Sequence, residues 1–174
     1  MIVAAATAYR LSEQQEGFQV IRGTVGGLTR YDDGLAGVSD VRVGTELREG
    51  AARVRTSGMF VVVRLTVQAP GSGEVRFSNA QLLSRDTTYA DFTDASTVSA
   101  DPGFETARDV AFEVAPGRMQ DLTIQVWGTG LVSGYHQRLR VHLGITGDNA
   151  EEWVAAAQGN QVRLDSDLIT RGLR

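Results

Sequence analysis

The chain has 174 residues, 42% of them hydrophobic and 22% charged, a composition that suits one globular domain with a core and excludes a disordered chain. A formal net charge of −4 excludes a generic electrostatic grip on nucleic acid, which rewards a concentrated cationic surface. The absence of cysteine excludes disulfide staples, thiolate metal sites and thiol nucleophiles.

All 17 basic residues are arginine, and alanine, glycine and valine abound, a bias expected of a GC-rich, actinobacterium-like genome. Residues 1–17 read as an N-terminal tail, and residues 18–174 as a single β-sandwich domain with a C-terminal extension. The tail opens with the apolar run Met1-Ile2-Val3-Ala4-Ala5-Ala6 and reaches Tyr9-Arg10 before turning polar. It is too short to span a membrane, which takes about 20 apolar residues, and it lacks a basic signal-peptide start. Two readings stay open. Either Tyr9 and Arg10 are interfacial anchors at the outer end of a transmembrane helix that begins further upstream, or the segment is the plain N-terminus of a soluble protein.

From residue 18 onward, short β-prone runs alternate with Gly, Asp, Asn, Ser and Pro. Strands are expected at 18–25, 38–47, 59–67, 75–83, 87–92, 106–114, 122–127 and 138–145, with a last one at 161–164. The run Phe60-Val61-Val62-Val63 belongs to the most apolar of them, which predicts a central strand ending at the turn Ala69-Pro70-Gly71. Residues 150–158 alone read as a helix, with Asp148 or Asn149 as its N-cap and Gly159 as its stop. Phe60, Val62, Leu65, Val67, Phe112, Val114 and Val126 are expected in the core, with Phe112 and Val114 facing the central strand across it. The fold class is therefore all-β, an antiparallel sandwich with one short C-terminal helix.

Several segments resemble a known family in order and spacing: Met59-Phe60-Val61-Val62-Val63-Arg64-Leu65, Leu82-Leu83, Asp86-Thr87-Thr88-Tyr89, Asp101-Pro102-Gly103 and Phe112-Glu113-Val114-Ala115-Pro116-Gly117. Over residues 38–127 the chain is similar to a telokin-like, immunoglobulin-like family of bacterial domains. The resemblance implies an immunoglobulin-like sandwich on a secreted or membrane-anchored protein of Gram-positive or actinobacterial cells. It implies a location more than a chemistry.

The residues that could carry chemistry are few. His136 and His142 lie six apart, on one face of one strand and about 20 Å from each other, too far to share a metal ion. Ser133 lacks the Gly-x-Ser-x-Gly elbow of a hydrolase nucleophile, and the adjacent Glu151 and Glu152 diverge by about 100° on a helix. Asp91, Asp94 and Asp101 could offer oxygen ligands to Ca²⁺, but their spacing matches no standard calcium loop and suits a solvated Asx-turn connection. The glycine clusters at 23–27 and 71–73 read as turns, since neither has the Lys-Ser/Thr ending of a phosphate loop. No cofactor or metal is expected.

Aromatic side chains are the remaining candidates for a binding surface: Tyr89, Trp127 and Tyr135, with Tyr31 beside them. Trp153 reads as the residue that docks the helix. The functional expectation is a non-catalytic binding or scaffolding module of the cell envelope, presented outside the membrane to another envelope protein. It touches no nucleic acid, and meets the membrane only through an N-terminal anchor. The alternative is a soluble protein that binds a small ligand or carbohydrate, or a hydrolase, with a pocket built from residues 89–104 and 127–136. Convergent polar groups in a pocket favour the alternative, and flat faces favour scaffolding.

Overall fold

The computed structural model describes residues 18–93, 97–128, 136–165 and 167–174. Its strands are β1 (Phe18–Gly23), β2 (Leu28–Tyr31), β3 (Gly34–Glu49), β4 (Ala52–Gln68), β5 (Val75–Phe77), β6 (Asn79–Ser84) and β7 (Thr87–Ala90), followed by β8 (Val98–Ala100), β9 (Phe104–Val114), β10 (Thr123–Trp127) and β11 (His136–His142). Helix α1 (Ala150–Ala157) comes next, then β12 (Gln161–Arg163) and β13 (Ile169–Gly172). One sheet has the order β1-β11-β10-β6-β7, and the other has β12-β3-β4-β9-β13 with β2 also on β3. A short β5-β8 ribbon stands apart. The result is a mainly antiparallel β-sandwich with one short helix, as the strand and turn rhythm implies.

β4 is central because both of its faces are apolar. Met59, Val61, Val63, Leu65 and Val67 pack into the core shared with Leu82, Ile124, Val126, Leu139 and Val141 of the opposite sheet. Phe60 and Val62 point the other way, into a second cluster with Leu47, Ala111, Val162 and Leu164. Phe60, Val62, Leu65, Val67, Phe112, Val114 and Val126 are all fully buried.

Phe112 and Val114 do not face β4 across the core. They lie beside it in the same sheet, in register with Val61 and Met59. Apolar periodicity reports burial but carries no information on which strand becomes the hydrogen-bonded neighbour.

Among the described residues two strand pairings are parallel, β1 with β11 and β12 with β3, both at sheet edges, and an isolated parallel bridge joins Val25 to Val38. Strands β2, β8 and β13 are three or four residues long and were not anticipated from the sequence pattern. Helix α1 ends ahead of Gly159, whose φ of 68° suits a helix stop, and it packs Trp153 and Val154 against the main core. Asn149 is its N-cap residue, and the Asn149 side chain accepts from the Thr146 N–H and donates to the Gly144 carbonyl. Among the described residues no helix is long and apolar enough to cross a membrane.

The second cluster is closed by a buried charge. Asp109 on β9 has no exposed surface, and its carboxylate accepts from Arg64 Nε at 2.8 Å, from Arg42 Nη2 at 2.7 Å and from the Asp165 N–H at 3.1 Å. Arg42 Nη1 also donates to the Arg163 carbonyl at 2.7 Å, so the cluster pins the segment after β12. Burial alone would raise the Asp109 carboxyl; the hydrogen bonds from Arg64 and Arg42 override it and hold the group below the usual aspartate range. A bulge places Arg42 there. Ser39 pairs with Arg64 and Arg42 with Val62, and the extra residue, with Asp40 at φ 55°, turns Arg42 onto the face of Asp109 and away from the sandwich core.

Candidate functional site

Period-2 alternation along β11 buries Leu139 and Val141 and turns Arg138, Arg140 and His142 outward. The register extends that outer face across the sheet. Arg22 of β1 is in register with Arg140, Thr123 of β10 with His142, and Leu83 of β6 with Thr123. At this end of the face these side chains border a cleft of about 510 Å³, together with Gly23, Ser84, Arg85 and Asp121.

The wall of the cleft is fixed by hydrogen bonds. Arg140 Nε donates at 2.7 Å to Gln125 Oε1, and Gln125 is only 2% exposed, so a buried neutral amide orients the guanidinium. The Gly144 N–H donates to His142 Nδ1 at 3.0 Å, which leaves Nε2 as the protonated nitrogen of the neutral ring. Arg85 Nη2 lies 3.1 Å from Asp121 Oδ2 in an exposed pair on the rim. Ser84 Oγ holds the facing turn by donating to the carbonyls of Arg118 and Gln120, at 2.8 and 3.2 Å. Arginine forks, an imidazole N–H and a threonine hydroxyl make this a wall of donors, suited to an anion.

At the other end of the same face, Arg138 lies over two rings. Its guanidinium carbon is 3.8 Å from the Phe18 centroid and 4.5 Å from that of Trp127. Trp127 is thus on the outer face and partly exposed.

The other aromatic candidates are not brought together with it. Tyr89 pairs with the fully buried Leu82 and turns inward against the main core, and its hydroxyl is buried without a hydrogen-bond partner among the described residues. Tyr31 is only 2% exposed, edge-on to Phe77, and its hydroxyl accepts from the Gly128 N–H at 2.9 Å. Burial raises its pKa to about 12. Tyr135 lies outside the described residues, as do Ser133 and Asp94.

Asp91 accepts from the backbone N–H and the hydroxyl of Thr93, at 3.0 and 2.8 Å, which is the local turn expected of it. Among the described residues no group of three His, Asp or Glu side chains could hold a metal ion. This cleft is built from β1, β6, β10 and β11 and the turns beside them, whereas residues 94–96 and 129–135 of the expected pocket lie outside the described residues. The signal that could have revealed it is Arg138-x-Arg140-x-His142, three basic side chains at strand spacing around buried Leu139 and Val141.

The sandwich has solved counterparts. The crystal structure of the yjhA protein from Bacillus subtilis matches it with a TM-score of 0.52 at 11% identity, over 68% of this chain and 97% of that one. An uncharacterized β-sandwich protein from Clostridium difficile 630 matches with a TM-score of 0.42 at 9% identity, over 71% of this chain and 95% of that one. At 11% identity the likeness to the yjhA protein is one of fold alone. No family model matches the chain, and no curated protein matches it in sequence.

Proposed function

We propose that the protein is a non-catalytic binding module that works outside the cytoplasmic membrane, and that it captures a component of the cell envelope in the cleft on the outer face of the five-stranded sheet. The observation that carries this reading is the gathering of Arg22, Arg85, Arg140 and His142 around one opening, in a chain whose net charge is −4. Convergent donors on rigid strands favour the ligand-binding element of the alternative reading over scaffolding by a flat surface, so the module is read as one that captures a ligand. The resemblance of residues 38–127 to telokin-like, immunoglobulin-like envelope domains supports the location.

The test is co-sedimentation with envelopes isolated from the source organism. Thr123→Trp fills the mouth of the cleft without changing its charge, so the parent is expected to sediment and the variant to stay in solution. A parent protein that stays in solution, or a variant that sediments equally, overturns the reading of the site. Protease added to intact cells is expected to digest the protein; full protection overturns the location.

A further inference from the structure

A second charged surface, separate from the cleft, lies where the β3–β4 hairpin meets β12. In-register pairing sets Arg53, Arg48 and Arg163 side by side on these three adjacent strands. Two residues along, Arg55, Glu46 and Gln161 form a parallel row on the same face. Leu47 and Val162, between the rows, are buried in the second cluster, so alternation turns both rows to the opposite face, where all four arginines are exposed.

Like charges directly opposite each other destabilise a sheet, and here three stand in one line. Their partners within the chain compensate only part of that charge. Arg48 Nε donates to the Gly50 carbonyl at 3.2 Å, Arg163 Nε pairs with Asp165 at 2.8 Å, and Arg53 makes no hydrogen bond or ion pair among the described residues. In the second row Glu46 accepts from Arg55 at 2.7 Å and from Gln161. Four arginines thus stand against Glu46 and Asp165, in a chain whose net charge is −4. Glu49 and Asp167 border the β12 end, in one cleft with Arg48 and Arg163, which leaves the Arg53 end the more cationic.

We propose that this face docks a linear phosphate polymer that carries no bases. Strands lie about 4.8 Å apart, so the three arginines present a line of positive charge about 10 Å long. Arg48 and Arg163 are tied to different places, the hairpin turn at Gly50 and the segment after β12 at Asp165. Charges repeated along a chain meet the whole line, and a lone anion does not. Phosphate suits the donors, because its oxygens accept the paired N–H bonds of a guanidinium. The two rows hold no aromatic ring to stack a base and no apolar side chain to anchor a folded protein. The exposed Val54 turns to the other face with Leu47, so the arginine face has nothing to insert into a bilayer.

The probe is fluorescently labelled long-chain inorganic polyphosphate, followed by anisotropy over a range of salt concentrations. Binding is expected to saturate and to weaken steeply with salt, and orthophosphate at the same phosphate concentration is expected to compete poorly. Arg53→Gln is expected to weaken binding and to lower the slope of log affinity against log salt by about one. Changing Arg48, Arg53 and Arg163 together to Gln is expected to abolish binding, and Asp167→Asn to tighten it. Arg76→Gln, at an exposed position on β5, is expected to bind as the parent does. Circular dichroism checks folding, and Arg53→Gln, which breaks no contact, decides the matter if the triple variant unfolds. No binding of polyphosphate, equal competition by orthophosphate, or a loss in Arg76→Gln as large as in Arg53→Gln overturns the proposal. Tighter binding of oligothymidylate with the same number of phosphates overturns it in favour of nucleic acid. Sedimentation with phosphatidylglycerol vesicles, when polyphosphate does not bind, overturns it in favour of a membrane.

Discussion

Asp109→Asn keeps the shape of the side chain, removes its charge and puts an amide N–H where three donors converge. The two arginines then lose the carboxylate they share at a site with no exposed surface and keep only their more exposed carboxylate partners, Asp40 at 3.3 Å from Arg42 and Asp165 at 3.6 Å from Arg64. Breaking a buried ion pair by changing one partner costs about 3–5 kcal/mol, and because Arg42 and Arg64 are 26% and 29% exposed, water rehydrates part of their charge. The expected loss is therefore at the lower end, about 3 kcal/mol, or a fall of roughly 6–12 °C in the thermal midpoint at this chain length. Thermal unfolding of parent and variant at pH 7 measures it, and hydrogen exchange reports whether β13 (Ile169–Gly172), which follows the pinned Asp165, opens first. The pH dependence has a definite sign. The folded Asp109 carboxyl is held below its ordinary value, so the unfolded chain takes up the proton first as pH falls. The contribution is whole above about pH 4 and is lost as pH falls through the folded value, so the gap between parent and variant narrows in acid. A loss under about 1 kcal/mol at pH 7, or a gap that widens in acid, refutes the reasoning.

Phe112→Ala removes a fully buried ring beside Val61 and is expected to cost about 3–5 kcal/mol in urea unfolding; a loss under about 1 kcal/mol refutes its place in the core. Spectrophotometric titration of the folded protein is expected to show a tyrosine ionising at about 12 that disappears in Tyr31→Phe. Since that pKa is raised, the stability it contributes is whole below about pH 10 and is lost as pH rises towards 12, and a high-pH step that survives in the variant refutes the assignment. Exhaustive EDTA treatment is expected to leave the thermal midpoint unchanged; a reproducible drop that Ca²⁺ or Zn²⁺ restores refutes the expectation that folding needs no metal.

The central strand, the helix and the seven core residues were legible because each is written locally. An apolar run buried on both faces marks β4, and the span from Asn149 to Gly159 has a cap, an alanine-rich body and a stop. What local pattern does not contain is the identity of neighbours. Phe112 shows its burial in the sequence but not its place beside β4, because burial in a sheet and burial between sheets leave the same mark on the sequence. The short strands β2 and β13 line the longer β3 and β9, β8 pairs with the equally short β5, and all three hold too few residues to show a period. Of the cleft only the Arg140-x-His142 edge is written in one strand, and the rest is illegible for the same reason. Arg22, Arg85 and Arg140 are scattered along the chain and meet only because β1 settles parallel to β11 and the turn after β6 lies at the same end. Tyr89 shows the converse: the residue type suggested an exposed contact, and register with Leu82 turned it inward.

The parallel setting of β1 has a mechanical consequence. Six residue pairs join it to β11, from Phe18 with His136 to Gly23 with Val141, and the cleft lies at the Gly23 end. A pull on the chain ahead of Phe18, opposed by a ligand held in the cleft, enters the ladder at one end and leaves it at the other. The load then runs along the strands and across their evenly spaced hydrogen bonds, which share it in shear instead of parting one by one. Loaded in that direction, β1 resists as one cooperative strand and not bond by bond.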